Sequence, residues 1–403
     1  MKVLLVHPGT QHSFQLAKQL YKRGMLFEFH TGLAFGKDSL YYKIFSKFPS
    51  KVFNKISNRF IDEVPDSYIR RKPLIEIKAL IRLKFRKDEE DVLYRRNMHF
   101  QNSISDSIIL ASDAVIGFDT SSWIMAERCR ELSRKFFLDV SIAHPVAKEK
   151  VYRQIIKLYP TWEFSVKTKD YKHIAVEEAE MELASQIVVA SYFTFKTYKE
   201  HSVPADKISI IPYGVDSQMF KPLADKKTGS TIRFVYVGTV DARKGIPLLL
   251  EAWGLLKHEN IELTLIGPIS MATEKYIRNL YPAIIIKGKL AFSEVVDTLP
   301  NYDVMIFPSF FEGFGLVIPQ AMASGLPVIT TSATCGPDII SNGVDGFIVE
   351  PGNVENLLES IDFFLSKPEM IHQFGLKAID KIKGFSWDAY GAKWKELLES
   401  SVN

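Results

Sequence analysis

The chain has 403 residues, 46% apolar and 24% charged, enough to bury the cores of two or three domains and too ordinary for a disordered, collagenous or disulfide-built protein. Its two cysteines, Cys129 and Cys335, stand far apart, which points to free thiols in a reducing compartment and excludes a zinc cluster built from cysteine alone. The net charge of +4 is local: Lys43, Lys47, Lys51, Lys55 and Arg59 give the segment 41–60 five positive charges and no acid, so the remainder is close to neutral and no nucleic-acid partner is expected.

In chain order, an apolar strand over Lys2–Val6 runs into the loop Pro8-Gly9-Thr10-Gln11-His12 and a helix from Ser13 to Arg23 that Gly24 stops. No longer apolar run or cleavage site follows the first residues, so a cytoplasmic protein is expected. In the segment 41–60 the basic residues recur every fourth position, with Ile44, Phe45, Phe48, Val52, Phe53, Ile56 and Phe60 between them and Pro49 as a break. Such a helix either lies on an anionic membrane, here the inner face of the plasma membrane, or packs its apolar face on its own domain. Residues 74–99 are charged and helical in pattern. Strands are expected near 112–117, 135–140, 187–190 and 208–212, with helices over 147–158, over 170–185 and from Phe193. After a polar linker over 216–230, a second series begins, with strands near 232–237, 262–267, 284–287, 304–307, 327–331 and 346–349, helices between them, and an amphipathic tail over 385–403. Strand and helix alternating in two series predict an α/β protein of two Rossmann-like domains facing across a cleft.

Several chemistries lack their motif. There is no G-x-G-x-x-G, no G-x-x-x-x-G-K-[ST], no G-x-S-x-G and no D-x-D triplet. The informative stretch is 303–352, DVMIFPSFFEGFGLVIPQAMASGLPVITTSATCGPDIISNGVDGFIVEPG. A strand ends at Pro308, a loop carries Glu312, and Gly313-Phe314-Gly315 leads into a helix through Leu316 and Val317. Glycines allow close backbone approach and a helix start offers free N–H groups, so this is an anion site with a carboxylate beside it. The stretch 235–250, VYVGTVDARKGIPLLL, places Gly238 after a strand and Arg243 and Lys244 in the following loop, where two cations can hold a diphosphate or remain solvated.

Residues 303–352 resemble the retaining glycosyltransferases of family 4, whose two-domain architecture is called GT-B and whose motif is E-x7-E. Glu312 stands at the first position and Gln320, not Glu, at the second. The loop 235–250, the stretch 190–216 and the Trp387-bearing tail resemble the same family. The resemblance implies an N-terminal acceptor domain over 1–215, joined by the returning helix 385–403, and a donor domain over 216–384. It implies that Glu312 meets the donor sugar, that residue 320 meets the ribose hydroxyls, and that Gly9, Gly238, Arg243, Lys244 and residues 313–317 hold the donor. It also implies that His144, which as a lone histidine could equally be structural, reaches the donor sugar. Gln320 can still exchange hydrogen bonds but cannot make a charge-assisted pair, so weaker or altered nucleotide binding is expected. No metal or other cofactor is expected. The expected reaction moves a hexose from a nucleotide diphosphate sugar, UDP first, to a glycan or lipid-linked acceptor. A sugar-nucleotide 2-epimerase and a non-catalytic nucleotide-sugar binder are the competing readings. Residues 35–110 match nothing in the family, and the resemblance implies that this region shapes the acceptor site.

Overall fold

The computed structural model describes residues 1–10, 12–48, 53, 56–85, 88–166, 171–223 and 229–402. Two parallel sheets carry it. The first holds seven strands, in the order β5-β2-β1-β6-β7-β8-β9, drawn from β1 (Val3–His7), β2 (Leu26–Thr31), β5 (Ile69–Arg71), β6 (Ala114–Phe118), β7 (Lys135–Val140), β8 (Gln186–Val189) and β9 (Ile208–Ile210). Short β3 (Phe35–Gly36) and β4 (Phe60–Ile61) pair with each other beside it. The second sheet has the order β12-β11-β10-β13-β14-β15, from β10 (Ile232–Val237), β11 (Ile261–Ile266), β12 (Ile285–Gly288), β13 (Val304–Phe307), β14 (Val328–Thr331) and β15 (Gly346–Val349). All of these pairings are parallel, and the central strands β1, β6 and β13 are buried along their whole length, as strands covered by helices on both faces must be.

The strand order makes two crevices. The chain builds outward from β1 through β2 to β5, then returns to β6 and builds the other way; it does the same from β10 to β12 and back to β13. Loops at the carboxyl ends of β1 and β6, and of β10 and β13, therefore diverge and leave space between them, which is where open α/β sheets bind ligands.

The helix Trp387–Val402 returns to pack on the helix Ser13–Lys22. Tyr390, Trp394 and Leu398, spaced by four, form its buried stripe, and Arg23 reaches the Asp388 backbone oxygen at 2.7 Å. Gly214 lets the chain pass here, since a Cβ would lie 2.2 Å from the Trp387 nitrogen. The first helix has His12 rather than Ser13 at its N-cap, and Gly24, at φ +66°, ends it as expected. The expected amphipathic helix over 41–60 reduces to Leu40–Phe45, with a 3-10 turn at Ser57–Arg59; residues 49–52, 54 and 55 lie outside the described part. Tyr42, Phe45 and Phe53 gather around Phe60, so much of that segment's aromatic surface packs on itself.

Candidate active site

The second crevice is built from two loops that interlock. After Gly238 the chain turns, and Asp241 accepts the Lys244 N–H at 2.9 Å. Gly245, at φ +77°, lies so close to the end of β13 that a Cβ would fall 1.9 Å from the Pro308 carbonyl oxygen. The Phe310 N–H donates to the Arg243 carbonyl at 2.9 Å. The backbone thus fixes Arg243 and Lys244 beside Glu312.

The three charged side chains meet. Lys244 Nζ lies 2.5 Å and Arg243 Nη1 3.1 Å from Glu312 Oε1, and the Ser309 hydroxyl donates to the same oxygen at 2.8 Å. Burial pushes the Glu312 carboxyl up, but Lys244 and Arg243 together outweigh it and hold the group below its ordinary value, ionised. Burial pulls the Lys244 ammonium below its ordinary value. Asp241, half-buried, also interacts electrostatically with both Arg243 and Lys244, so two carboxylates face the two cations.

Lys244 and Glu312 line a cavity of about 220 Å³ together with Gly238, residues 313–317, Ser141 and Tyr213, and Arg243 and Ser309 hold Glu312 from behind that lining. A helix, Val317–Ala323, starts at its wall; its Ile318 N–H donates to the Gly315 carbonyl at 2.9 Å, and Pro319 has no N–H. Gln320, half-buried, lies in an adjoining cavity of about 490 Å³ that shares Ser141, Tyr213 and Leu316 and adds His12, Asp216 and Trp387. The first sheet closes onto this site. Ser191 and Thr194 donate to the Gly313 carbonyl at 2.6 and 3.0 Å, and a Cβ on Gly313 would stand 1.8 Å from the Ser141 carbonyl oxygen. Ser141 is itself held by Asp119, at 3.0 Å from its hydroxyl.

Sequence reasoning placed two residues elsewhere. His144 was expected at the donor sugar, but it caps the helix Pro145–Leu158, which begins directly after it. Its Nδ1 accepts the Val146 N–H at 3.3 Å, and its ring stacks on His201 with centroids 4.5 Å apart. Burial, then His201, lowers its imidazole to about 4, so it is neutral near pH 7. It lines a separate cavity with Glu178, Glu182 and Lys207. Gly9 was expected among the donor contacts, yet it lines the crevice between β1 and β6, a cavity of about 370 Å³ with His7, Tyr94, Arg96, Thr120 and Ser121. Gln11 lies outside the described residues.

Other site residues went unread in the sequence. Ser309, Ser141 and Tyr213 line or brace the Glu312 cavity, and only the proximity of Ser309 to Glu312 hinted at one of them. His12, a weak candidate by sequence, is fixed by Asp139 at 2.9 Å and by the Tyr213 hydroxyl at 3.2 Å. In the β1/β6 crevice the buried Glu180 accepts the Thr120 and Ser122 N–H groups at 2.8 and 2.6 Å, holding the loop that forms its rim.

Residues 231–367, which contain Gly238, Arg243, Lys244, Glu312 and Gln320, match the family described as glycosyl transferases group 1. The whole chain has the GT-B fold: sucrose-phosphate synthase from Thermosynechococcus elongatus superposes with a TM-score of 0.68 at 19% identity, over 99% of this chain and 98% of that one. HepE of Anabaena, solved in complex with UDP and glucose, superposes with a TM-score of 0.63 at 13% identity, over 99% of this chain and all of that one. In sequence, the MMP alpha-(1->4)-mannosyltransferase of Mycolicibacterium hassiacum is 23% identical over 276 residues, covering 66% of each chain. Across the first three curated relatives the match spans 66, 53 and 39% of their length.

Proposed function

We propose that the protein is a retaining glycosyltransferase that moves a hexose of the glucose, mannose or galactose type from a nucleotide diphosphate sugar to a hydroxyl of a glycan or lipid-linked glycan. The observation that carries this is the cluster at the second crevice, where Arg243, Lys244 and Ser309 converge on one oxygen of Glu312 in a cavity bounded by Gly313 to Val317. UDP is the first nucleotide to try, and the UDP and glucose seen with HepE support it.

In this reading Arg243 and Lys244 take the charge that builds on the diphosphate as the glycosidic bond breaks, with no resident metal needed. Glu312 orients the donor sugar through its hydroxyls, and Gln320, in the adjoining cavity, meets the ribose. The acceptor enters from the β1/β6 crevice, past Gly9 and Ser121. Its hydroxyl attacks the face that the phosphate leaves, and a departing phosphate oxygen takes the proton. The contact of Gly313 with Ser141, Ser191 and Thr194 keeps water from the sugar.

A thermal-melt panel of UDP, GDP, ADP and their sugar conjugates tests this. A ligand at about 100 times its dissociation constant adds about 2.7 kcal/mol, a clear shift. A response to one base, followed by sugar release that Glu312→Ala abolishes, is the expected result. No response to any nucleotide would overturn it. For a lipid-linked acceptor, the basic segment 41–60 is the membrane contact that the sequence offers; within it Lys43, Lys47, Tyr41, Ile44 and Phe48 are exposed.

A further inference from the structure

A stronger membrane-facing surface lies elsewhere. The helix Pro73–Phe85 presents Leu74, Ile77, Ile81 and Phe85 to solvent, and Leu74 and Phe85 are 82% and 78% exposed. At 100° per residue these four fall within one stripe about 80° wide. Lys78 and Arg82 flank it on one side and Lys84 on the other. The helix carries one acid, Glu76, which is turned inward and buried, where it meets Arg59 at 3.6 Å and Arg96 at 3.5 Å. Within the helix the outward face is thus apolar with cationic flanks, and the acids Asp88 to Asp91 follow only at the start of the next helix.

A groove of about 380 Å³ runs beside the stripe, between this helix and the helix Glu89–Asn102. Leu74, Ala79 and Val92 supply its apolar surface, and Lys78, Arg82, Arg95, Arg96 and His99 its polar one; no carboxylate lines it. Asp91 pairs with Arg95 at 2.8 Å from outside the groove. Arg96 is also a wall of the β1/β6 crevice, so the groove and the crevice share a side chain.

We propose that this helix and its groove dock the protein on an anionic lipid bilayer. The exposed stripe enters the boundary between headgroups and acyl chains, and Lys78, Arg82 and Lys84 meet the lipid phosphates. The groove takes an anionic headgroup. Docking there sets the β1/β6 crevice at the membrane surface, where a lipid-linked acceptor would present its sugar; that last step rests on the glycosyltransferase reading, and the docking itself does not.

Flotation with vesicles tests it, using the full chain and phosphatidylcholine with or without phosphatidylglycerol. Retention on the mixed vesicles at about 0.05 M salt, and release at about 0.5 M, is expected. Lys78→Gln with Arg82→Gln should weaken partition about 30-fold, roughly fivefold for each cation. Leu74→Glu with Phe85→Glu should abolish it, whereas Lys43→Gln with Lys47→Gln should leave most of it. All these side chains are at least partly exposed, and unchanged melting of each variant with UDP present would show the donor cavity intact. The proposal is overturned if the wild-type chain stays off the mixed vesicles, or if the Leu74/Phe85 variant floats like wild type. It is overturned equally if sedimentation finds a dimer that Leu74→Glu dissociates, since a second copy would then cover the stripe. A loss of UDP response with flotation intact would sink the donor assignment and leave the docking surface standing.

Discussion

Replacing Glu312 by Gln keeps the side-chain shape and removes its charge. Both Lys244 and Arg243 lie against Oε1, so the carboxylate occupies the two cations that the proposed diphosphate would use. A carboxylate and a phosphate that share one ammonium group stand about 5 Å apart, and at an effective dielectric of about 20 they repel by about 3 kcal/mol. Glu312→Gln is therefore expected to bind UDP more tightly, by about 10- to 100-fold. The stability of the fold moves the other way, since two buried cations keep Asp241 but lose the closer of their two carboxylates, at a cost of about 3 kcal/mol. Sugar transfer should fall by about 100- to 1,000-fold, because the donor sugar loses its orienting acceptor. Calorimetric titration with UDP, urea unfolding with and without UDP, and release of labelled sugar measure the three effects. Weaker or unchanged UDP binding by the variant, with transfer near the wild-type rate, would refute the reasoning, for the carboxylate would then neither compete with the diphosphate nor hold the sugar.

Gln320→Glu restores a charge-assisted partner for the ribose; UDP affinity, measured by the same titration, should rise by about tenfold, and a fall would mean that residue 320 faces something other than hydroxyls. His144→Ala removes a capping acceptor and a stacked ring distant from Glu312; it should cost stability in urea while donor turnover stays within about threefold of wild type, and a far larger loss of turnover would return His144 to the active site. Burial raises the Asp338 carboxyl to about 6, although it accepts the Tyr192 N–H at 3.0 Å where the two sheets' loops meet. A carboxyl raised in the fold is protonated there before it is protonated in the unfolded chain, so stability falls as pH rises from about 4 to about 6, by at most about 3 kcal/mol for a group that is partly exposed. Asp338→Asn keeps an acceptor for Tyr192 and should stabilise the protein at pH 7 but not near pH 4; urea midpoints that differ equally at both pH values would reject this.

Periodicity and apolar runs are local, and what they made legible was local too. The second sheet's strands stand out as short apolar runs between glycine- and proline-bearing loops, and β10, β13 and β15 fall where the pattern puts them. β2 and β5 were missed because their polar residues find partners only in the fold. Glu28 of β2 pairs with His30 at 2.7 Å and with Arg70 of β5 at 2.9 Å, so a strand pair at the sheet edge reads in sequence as charged loop. The same limit governs the site. Glu312, Arg243 and Lys244 could each be named from the loop that carries it. That they would neutralise one another could not, because residues 243 and 312 meet only through the placing of β10 beside β13. His144 shows the converse: it follows β7 in a position that suggests the cleft, but Pro145 starts a helix and His201, far along the chain, offers its ring a closer partner. Strand adjacency also explains Gly9. It follows β1 as Gly238 follows β10, and the two sheets have the same order of building, so the two glycines hold equivalent places in two crevices rather than one. The loops of the two sheets meet beside the second crevice, where a Cβ on Gly313 would stand 1.8 Å from the Ser141 carbonyl oxygen.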